Sequence, residues 1–218
     1  KQDSEKLIAE YKKCKREREI SKAIKELKQS YKTNTTKIPR ELSYLVGKHR
    51  EMYLHDMKLC QEFAKINRRT IQSIICYYMC WEVTKETERF QTIHNYIEYD
   101  TNIVRKGAIS AKTGEKVLIP INMRDGCILG IGKGNEDWNY SAPHGAGRTM
   151  SRSKAKESIL LEEYQKAMDG IFTTSVNTST IDESPMAYKT MDEIIGNIKD
   201  TVEIVDIIKP IYNFKANE

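Results

Sequence analysis

The sequence lacks any apolar run approaching the roughly 20 residues that span a bilayer, and its start has no charged segment followed by an apolar core. A membrane anchor and a secretory leader are therefore not expected, and cytoplasmic localisation is. The five cysteines, Cys14, Cys60, Cys76, Cys80 and Cys127, are odd in number and contain no CxxC pair. That argues against a disulfide frame and against a cysteine zinc cluster. Cys76 and Cys80 are expected on one helical face as buried structural thiols. No internal repeat or low-complexity tract occurs. The Gly130-Ile-Gly-Lys-Gly-Asn135 stretch has neither the GxxxxGK[ST] spacing of a P-loop nor a GxGxxG opening a helix. It is expected to be a strand-ending turn. The excess of basic residues is small, a net charge of +5, which permits a nucleic-acid partner without requiring one.

What is present is a long, charged, amphipathic start followed by β-rich sequence. Leu7, Ile8, Tyr11, Cys14, Ile20, Ala23, Ile24, Leu27 and Tyr31 recur at helical spacing, predicting one helix over residues 3–34. Residues 33–39 carry the small polar residues of a loop. A second helix is predicted from about Arg50 to Thr84, with Tyr53, Met57, Cys60, Phe63, Ala64 and Ile71 on its apolar side. Its end, Ile74 to Trp81, is apolar all round and so expected to be deeply buried. From Phe90 the period changes. Strands are predicted at Thr92–Tyr99, Ile103–Arg105, Lys116–Met123, Cys127–Ile131, Phe172–Val176 and Thr201–Ile208. Helices are predicted at Lys154–Asp169 and Met186–Ile198. Helices first and clustered strands after predict an α+β fold, with residues 1–89 mainly helical and 90–218 β-rich.

The stretch richest in chemistry is Ser141-Ala-Pro-His-Gly-Ala-Gly-Arg-Thr-Met-Ser-Arg152. Gly145 and Gly147 flank a small residue, which lets backbone N–H groups turn toward an anion. Arg148 and Arg152 add forked donors suited to phosphate oxygens. Pro143 stiffens the approach to His144. A histidine beside such a cradle can be a nucleophile toward phosphorus, an acid/base or a metal ligand.

This string resembles the signature of the RtcB family of RNA ligases. The resemblance continues through Ile93-His-Asn95, Arg105-Lys-Gly-Ala108, Pro120 to Gly126, Gly132-Lys-Gly-Asn135, Asp182 to Tyr188 and Lys209 to Lys215. Upstream, Tyr53-Leu-His-Asp-Met57, Phe63-Ala64 and Asn67-Arg68 look like the family's central helix. The resemblance implies a GTP- and Mn²⁺-dependent ligase joining RNA 3′-phosphate or 2′,3′-cyclic phosphate ends to 5′-hydroxyl ends, in tRNA splicing or RNA repair. It implies that His144 becomes guanylylated and that His94 is a manganese ligand. It places Asn95, Pro120, Ile121, Asn122, Met123, Cys127, Gly145, Ala146 and Gly147 around GTP, with Tyr188 stacking on the base and Lys215 recognising it. Arg148 and Arg152 would hold phosphates of nucleotide or RNA.

Two departures accompany it. Where the family often carries Gly-Ser-Met-Gly-Thr, this chain has Ile121-Asn-Met-Arg-Asp125, and Cys127 stands where serine is common; Arg124 is expected to favour phosphate. The family's further metal ligands, a cysteine, a histidine in an Asn-His block and another histidine, have no counterpart here. The first residue is not methionine. Together these features imply a carboxy-terminal portion of a single ligase domain, inactive without its amino-terminal half. The alternative is a non-catalytic guanine-nucleotide or RNA-binding module that retains the HGAGR cradle.

Overall fold

The computed structural model describes residues 2–33, 39, 42–84 and 87–215. It divides into two compact units, Lys1–Ile75 and Cys76–Glu218. In the first, the single predicted helix over 3–34 is two: α1, Gln2–Lys13, and α2, Ile20–Thr33. Lys15 adopts φ 58°, Arg16 N–H donates to Tyr11 O at 2.9 Å and Lys15 N–H to Lys12 O at 3.0 Å. That is a Schellman ending, built here without the usual glycine. Arg16 then pairs with Glu19, and a 3₁₀ turn at Glu17–Glu19 leads into α2. Leu7, Ile8, Tyr11, Ile20, Ala23, Ile24 and Leu27 are among the shielded residues, as the spacing predicts, while Cys14 is exposed. The predicted 33–39 loop and the Tyr31 side chain fall outside the described residues, apart from the backbone of Thr33 and Pro39.

The long helix α3 spans Gly47–Tyr78 and stops before the predicted Thr84. Trp81 N–H donates to Cys76 O and Cys80 N–H to Tyr77 O, with Cys80 at φ 52°, a second Schellman ending without glycine. The expected burial of its end is overturned. Ile74, Ile75, Tyr77, Tyr78, Met79 and Trp81 are all exposed, and none of the described residues of α3 is buried. Within the first unit α1 packs on α2. Cys76 is half-buried and Cys80 exposed. Because the helix has ended, the two do not share a helical face as expected.

The second unit centres on a three-stranded antiparallel sheet in the order β4, β5, β7, with β4 at Lys116–Asn122, β5 at Gly126–Gly132 and β7 at Val202–Ile208. Two ribbons precede and flank it: β1, Tyr96–Ile97, with β2, Val104–Arg105; and β3, Ala108–Ser110, with β6, Ser141–Pro143. Strand alternation places Val117, Ile119 and Ile121 inward. They join Ile109, Ile128, Ala142, Ala146, Val202 and residues of α6 (Met191–Asn197) and its end, Ile194 and Ile198, in one core.

A second core gathers Met123, Ala155, Ile159, Tyr164, Met168, Ile181 and Ala187. Its helices are shorter than predicted. The 154–169 segment is α4, Arg152–Ser158, and α5, Leu161–Ala167, because Ile159 and Leu160 are extended. Ser151 caps α4 by accepting from Lys154 N–H. The 186–198 segment opens as a 3₁₀ turn at Pro185–Ala187 and becomes α6 only after Thr190 caps it. The predicted strand at 172–176 is reduced to a single parallel bridge, Thr173 to Asn213. Mixed helices and small antiparallel sheets make the chain α+β. Tyr188 packs against both cores, and the site lies where they meet.

Candidate nucleotide site

His144 is set by the β3–β6 ribbon. Ala108 pairs with Pro143, and His144 N–H donates to Gly107 O at 3.4 Å. Gly107 N–H in turn donates to Asn95 Oδ1 at 2.9 Å, and Asn95 holds φ 59°, which asparagine tolerates. His94 is thereby brought to His144, ring centroids 4.9 Å apart. His94 is exposed and His144 half-buried.

Beyond His144 the chain runs along the end of β4. Ala146 N–H donates to Pro120 O at 3.0 Å. A Cβ at Gly145 would lie 3.1 Å from that same carbonyl, and Gly147 takes φ +72°, so the loop needs both glycines. Lys189 N–H donates to Gly147 O and Thr149 N–H to Ala187 O, which fastens the loop to the Tyr188 segment.

The result is a cleft of about 730 Å³, within the size range of small-molecule sites. Of the predicted residues, Pro120, Ile121, Asn122, Met123, Cys127, His144, Gly145, Ala146, Gly147, Arg148, Tyr188 and Lys215 line it. Asn95 and His94 are not among its lining residues and adjoin it through Gly107 and His144. Arg152 lines a neighbouring pocket of about 270 Å³. Ile121 and Met123 are almost wholly buried, so they shape the wall mainly as core residues. Burial pushes the Cys127 thiol up from its ordinary value.

The Asn122–Asp125 turn differs from expectation. Asn122 Oδ1 accepts the N–H groups of both Arg124 and Asp125, and its amide donates to Asp125. Arg124 pairs with Asp125 at 2.9 Å, holding that carboxyl below its usual range. The turn's donors are thus satisfied internally, and Arg124 has a carboxylate partner rather than an open fork.

Arg148 and Arg152 are also engaged. Arg148 donates to Asp182 O at 2.6 Å, Glu183 Oε1 at 2.8 Å and Tyr188 Oη at 2.9 Å. Its guanidinium carbon lies 4.7 Å from the Tyr188 ring centroid, a cation–π contact. Arg152 and Lys156 flank the Asp182 carboxylate, at 3.3 Å and 3.5 Å. Tyr188 donates to Glu183 Oε2 at 2.8 Å, and Lys215 Nζ lies 3.2 Å from the same oxygen. Burial and the Glu183 carboxylate together push the Tyr188 phenol up to about 12. Burial acts to raise the Glu183 carboxyl, but Tyr188, Lys215 and Arg148 outweigh it and hold it below the ordinary value.

Glu183, Asp182 and Asn213 were not singled out by the sequence. Asn213 donates to Met123 O at 2.7 Å. The available signal was the acidic pair inside the Asp182 to Tyr188 block, two carboxylates immediately before a Ser-Pro helix start. Among the described residues no group of three or more His, Cys, Asp or Glu is placed to hold a metal ion. No described helix is long and apolar enough to cross a membrane.

Residues 14–216 match the family model described as tRNA-splicing ligase RtcB. The chain is 30% identical over 213 residues to the RNA-splicing ligase RtcB of Escherichia coli K12, covering 90% of this chain and 51% of that protein. It is 41% identical over 86 residues to the tRNA-splicing ligase RtcB of Aeropyrum pernix, covering 37% of this chain and 18% of the relative. With the Nanoarchaeum equitans tRNA-splicing ligase RtcB it shares 31% over 156 residues, 62% of this chain and 32% of the relative. The chain thus spans about half the length of the Escherichia coli protein.

Proposed function

Because the chain belongs to the RtcB family, we propose that it is part of an RNA ligase and that the cleft beside His144 takes GTP. The observation that carries this is the convergence on one cleft of a histidine with its adjoining glycine loop, an aromatic ring and a lysine from three separate segments. The ring of Tyr188 offers a stacking surface to a base, and Lys215 a cationic donor.

In this proposal a neutral imidazole nitrogen of His144 attacks the α-phosphorus of GTP. A P–N bond forms, the bond to the bridging oxygen breaks and pyrophosphate leaves. A 2′,3′-cyclic phosphate RNA end is first hydrolysed to a 3′-phosphate. An oxygen of that phosphate then takes GMP from His144, and a 5′-hydroxyl displaces GMP to form the phosphodiester. Gly145 and Gly147 let the backbone approach the nucleotide closely. Arg152 and Lys156 provide positive charge beside the cleft for RNA phosphates.

His94 carries an imidazole of the kind that holds Mn²⁺, which when bound would supply Lewis acidity. One ligand does not define such a site, and the described residues bring no group of three or more potential ligands together. We propose that the remaining ligands belong to polypeptide outside this chain, that the chain is a carboxy-terminal portion of a cytoplasmic ligase, and that alone it is inactive.

The test is incubation with GTP labelled at the α-phosphate and Mn²⁺, using this chain, its His144→Ala variant and a version extended to the length of the relatives. Acid-labile, alkali-stable label in the extended protein, lost with His144→Ala, supports the proposal. The incomplete metal group favours a second reading, a non-catalytic guanine-nucleotide or RNA-binding module. Nucleotide binding without label in any version would support that reading and exclude the first.

A further inference from the structure

The carboxylate of Glu183 sits among several cations at the border of two pockets. With Lys215, it lines both the large cleft and the adjoining small pocket, and its side chain is only 17% exposed. One oxygen accepts from Arg148 at 2.8 Å and lies 3.6 Å from Arg152. The other accepts from the Tyr188 hydroxyl at 2.8 Å and lies 3.2 Å from Lys215 Nζ. Tyr188 is therefore held twice: its hydroxyl by Glu183, and one face of its ring by the Arg148 guanidinium that Glu183 also anchors. Lys215 is held at both ends: its backbone N–H donates to Ser175 Oγ, and its ammonium turns to Glu183.

We infer that Glu183 is a positioning residue, which holds Tyr188 and Lys215 in the arrangement in which the cleft receives a purine base. This rests on the reading of the cleft as a guanine-nucleotide site. The physics is one of preorganisation. A lysine carries several freely rotating bonds, and ordering it at the moment of binding costs entropy that a standing ion pair has already met. With Arg148 over the ring and both cores packed against it, the part of Tyr188 that lines the cleft is fixed in place for contact with a base. Without Glu183, Lys215 would lose its carboxylate partner, and the Tyr188 hydroxyl would lose its acceptor and keep only Arg148.

The experiment is a fluorescence titration of the full chain with mant-GTP and mant-GMP, repeated for Glu183→Gln and Glu183→Asp. Glu183→Gln should weaken both nucleotides by the same factor, on the order of tenfold, since a hydrogen-bonded charged group is being lost on the base side. Glu183→Asp, which keeps the charge, should recover part of the loss. Unchanged binding by Glu183→Gln, or a loss confined to the triphosphate, overturns the inference and leaves the cleft reading standing. Failure of the unaltered chain to bind either nucleotide overturns both.

A second measurement separates positioning from lost fold. The Tyr188 ¹³Cζ signal, assigned with Tyr188→Phe, should titrate in the unaltered chain with a midpoint near 12. In Glu183→Gln the midpoint should fall, as the repulsive carboxylate is gone. An unmoved midpoint shows that Glu183 does not hold Tyr188, and overturns the inference whatever the binding result.

Discussion

The imidazoles of His94 and His144 lie 4.9 Å apart, centroid to centroid, inclined at 37°, although they adjoin separate ribbons of the second unit. Arg105, 2% exposed, joins those ribbons. Its Nε donates to Ser141 Oγ at 3.1 Å, and its terminal nitrogens donate to Tyr96 Oη at 3.2 Å and Asn139 O at 3.3 Å. Glu98 completes the arrangement at 3.5 Å. Tyr96 lies just after His94 and Ser141 just before His144, so one buried guanidinium sets both.

Arg105→Lys is therefore expected to destabilise the chain by about 2–3 kcal/mol, because an ammonium cannot reproduce the fork and leaves buried acceptors unpaired. Urea unfolding gives the loss. Histidine ring resonances of His94 and His144 should both move, while those of His49 and His55 in α3 stay put.

Gly126 lines the cleft and starts β5 at φ +85°, where a Cβ would lie 2.0 Å from Ile208 O. Gly170 has nearly the same φ, +80°, with nothing within 4 Å of its notional Cβ. Gly170→Ala should cost about 1 kcal/mol, the backbone penalty alone. Gly126→Ala must also push β7 off β5 and should cost about 3 kcal/mol or more. Denaturation midpoints of the two variants measured side by side separate strain from collision; equal losses would contradict the β5–β7 register.

Glu183, Glu98 and Asp125 are each held below their ordinary carboxyl values by cationic and hydrogen-bonding neighbours. The unfolded chain thus binds more protons than the folded one in the acid range. Their contribution is fully present above the unfolded values, about 4, and is lost as pH falls through the lower folded values. Urea midpoints should hold from about pH 7 to pH 5.5 and decline below about pH 5. Glu183→Gln should be less stable at neutral pH and show a shallower decline.

Much of the site was legible because its residues stand in contiguous blocks. Pro120 to Met123, Cys127, His144 to Arg148, Tyr188 and Lys215 were all expected at one site, and all line one cleft. Glu183 went unnoticed because its significance lies in partners from three segments, Arg148, Tyr188 and Lys215, that only folding assembles. The partner of Arg124 was hidden for the same reason: as a residue type it suits phosphate, and in place it pairs with Asp125. The ends of α1 and α3 were overrun because Lys15 and Cys80 adopt a left-handed conformation that sequence associates with glycine.

The sequence by itself determined the α+β order, the strands β4, β5 and β7, and the motif that groups this chain with RtcB. Periodicity and local backbone preference act over neighbouring residues and are written in the chain. Tertiary structure alone decided that the apolar end of α3 is exposed, that the Asn122–Asp125 turn satisfies its own donors, and that a single carboxylate gathers Arg148, Tyr188 and Lys215. Burial and ion pairing depend on which distant groups arrive at the same place, and no spacing along the chain encodes that arrival.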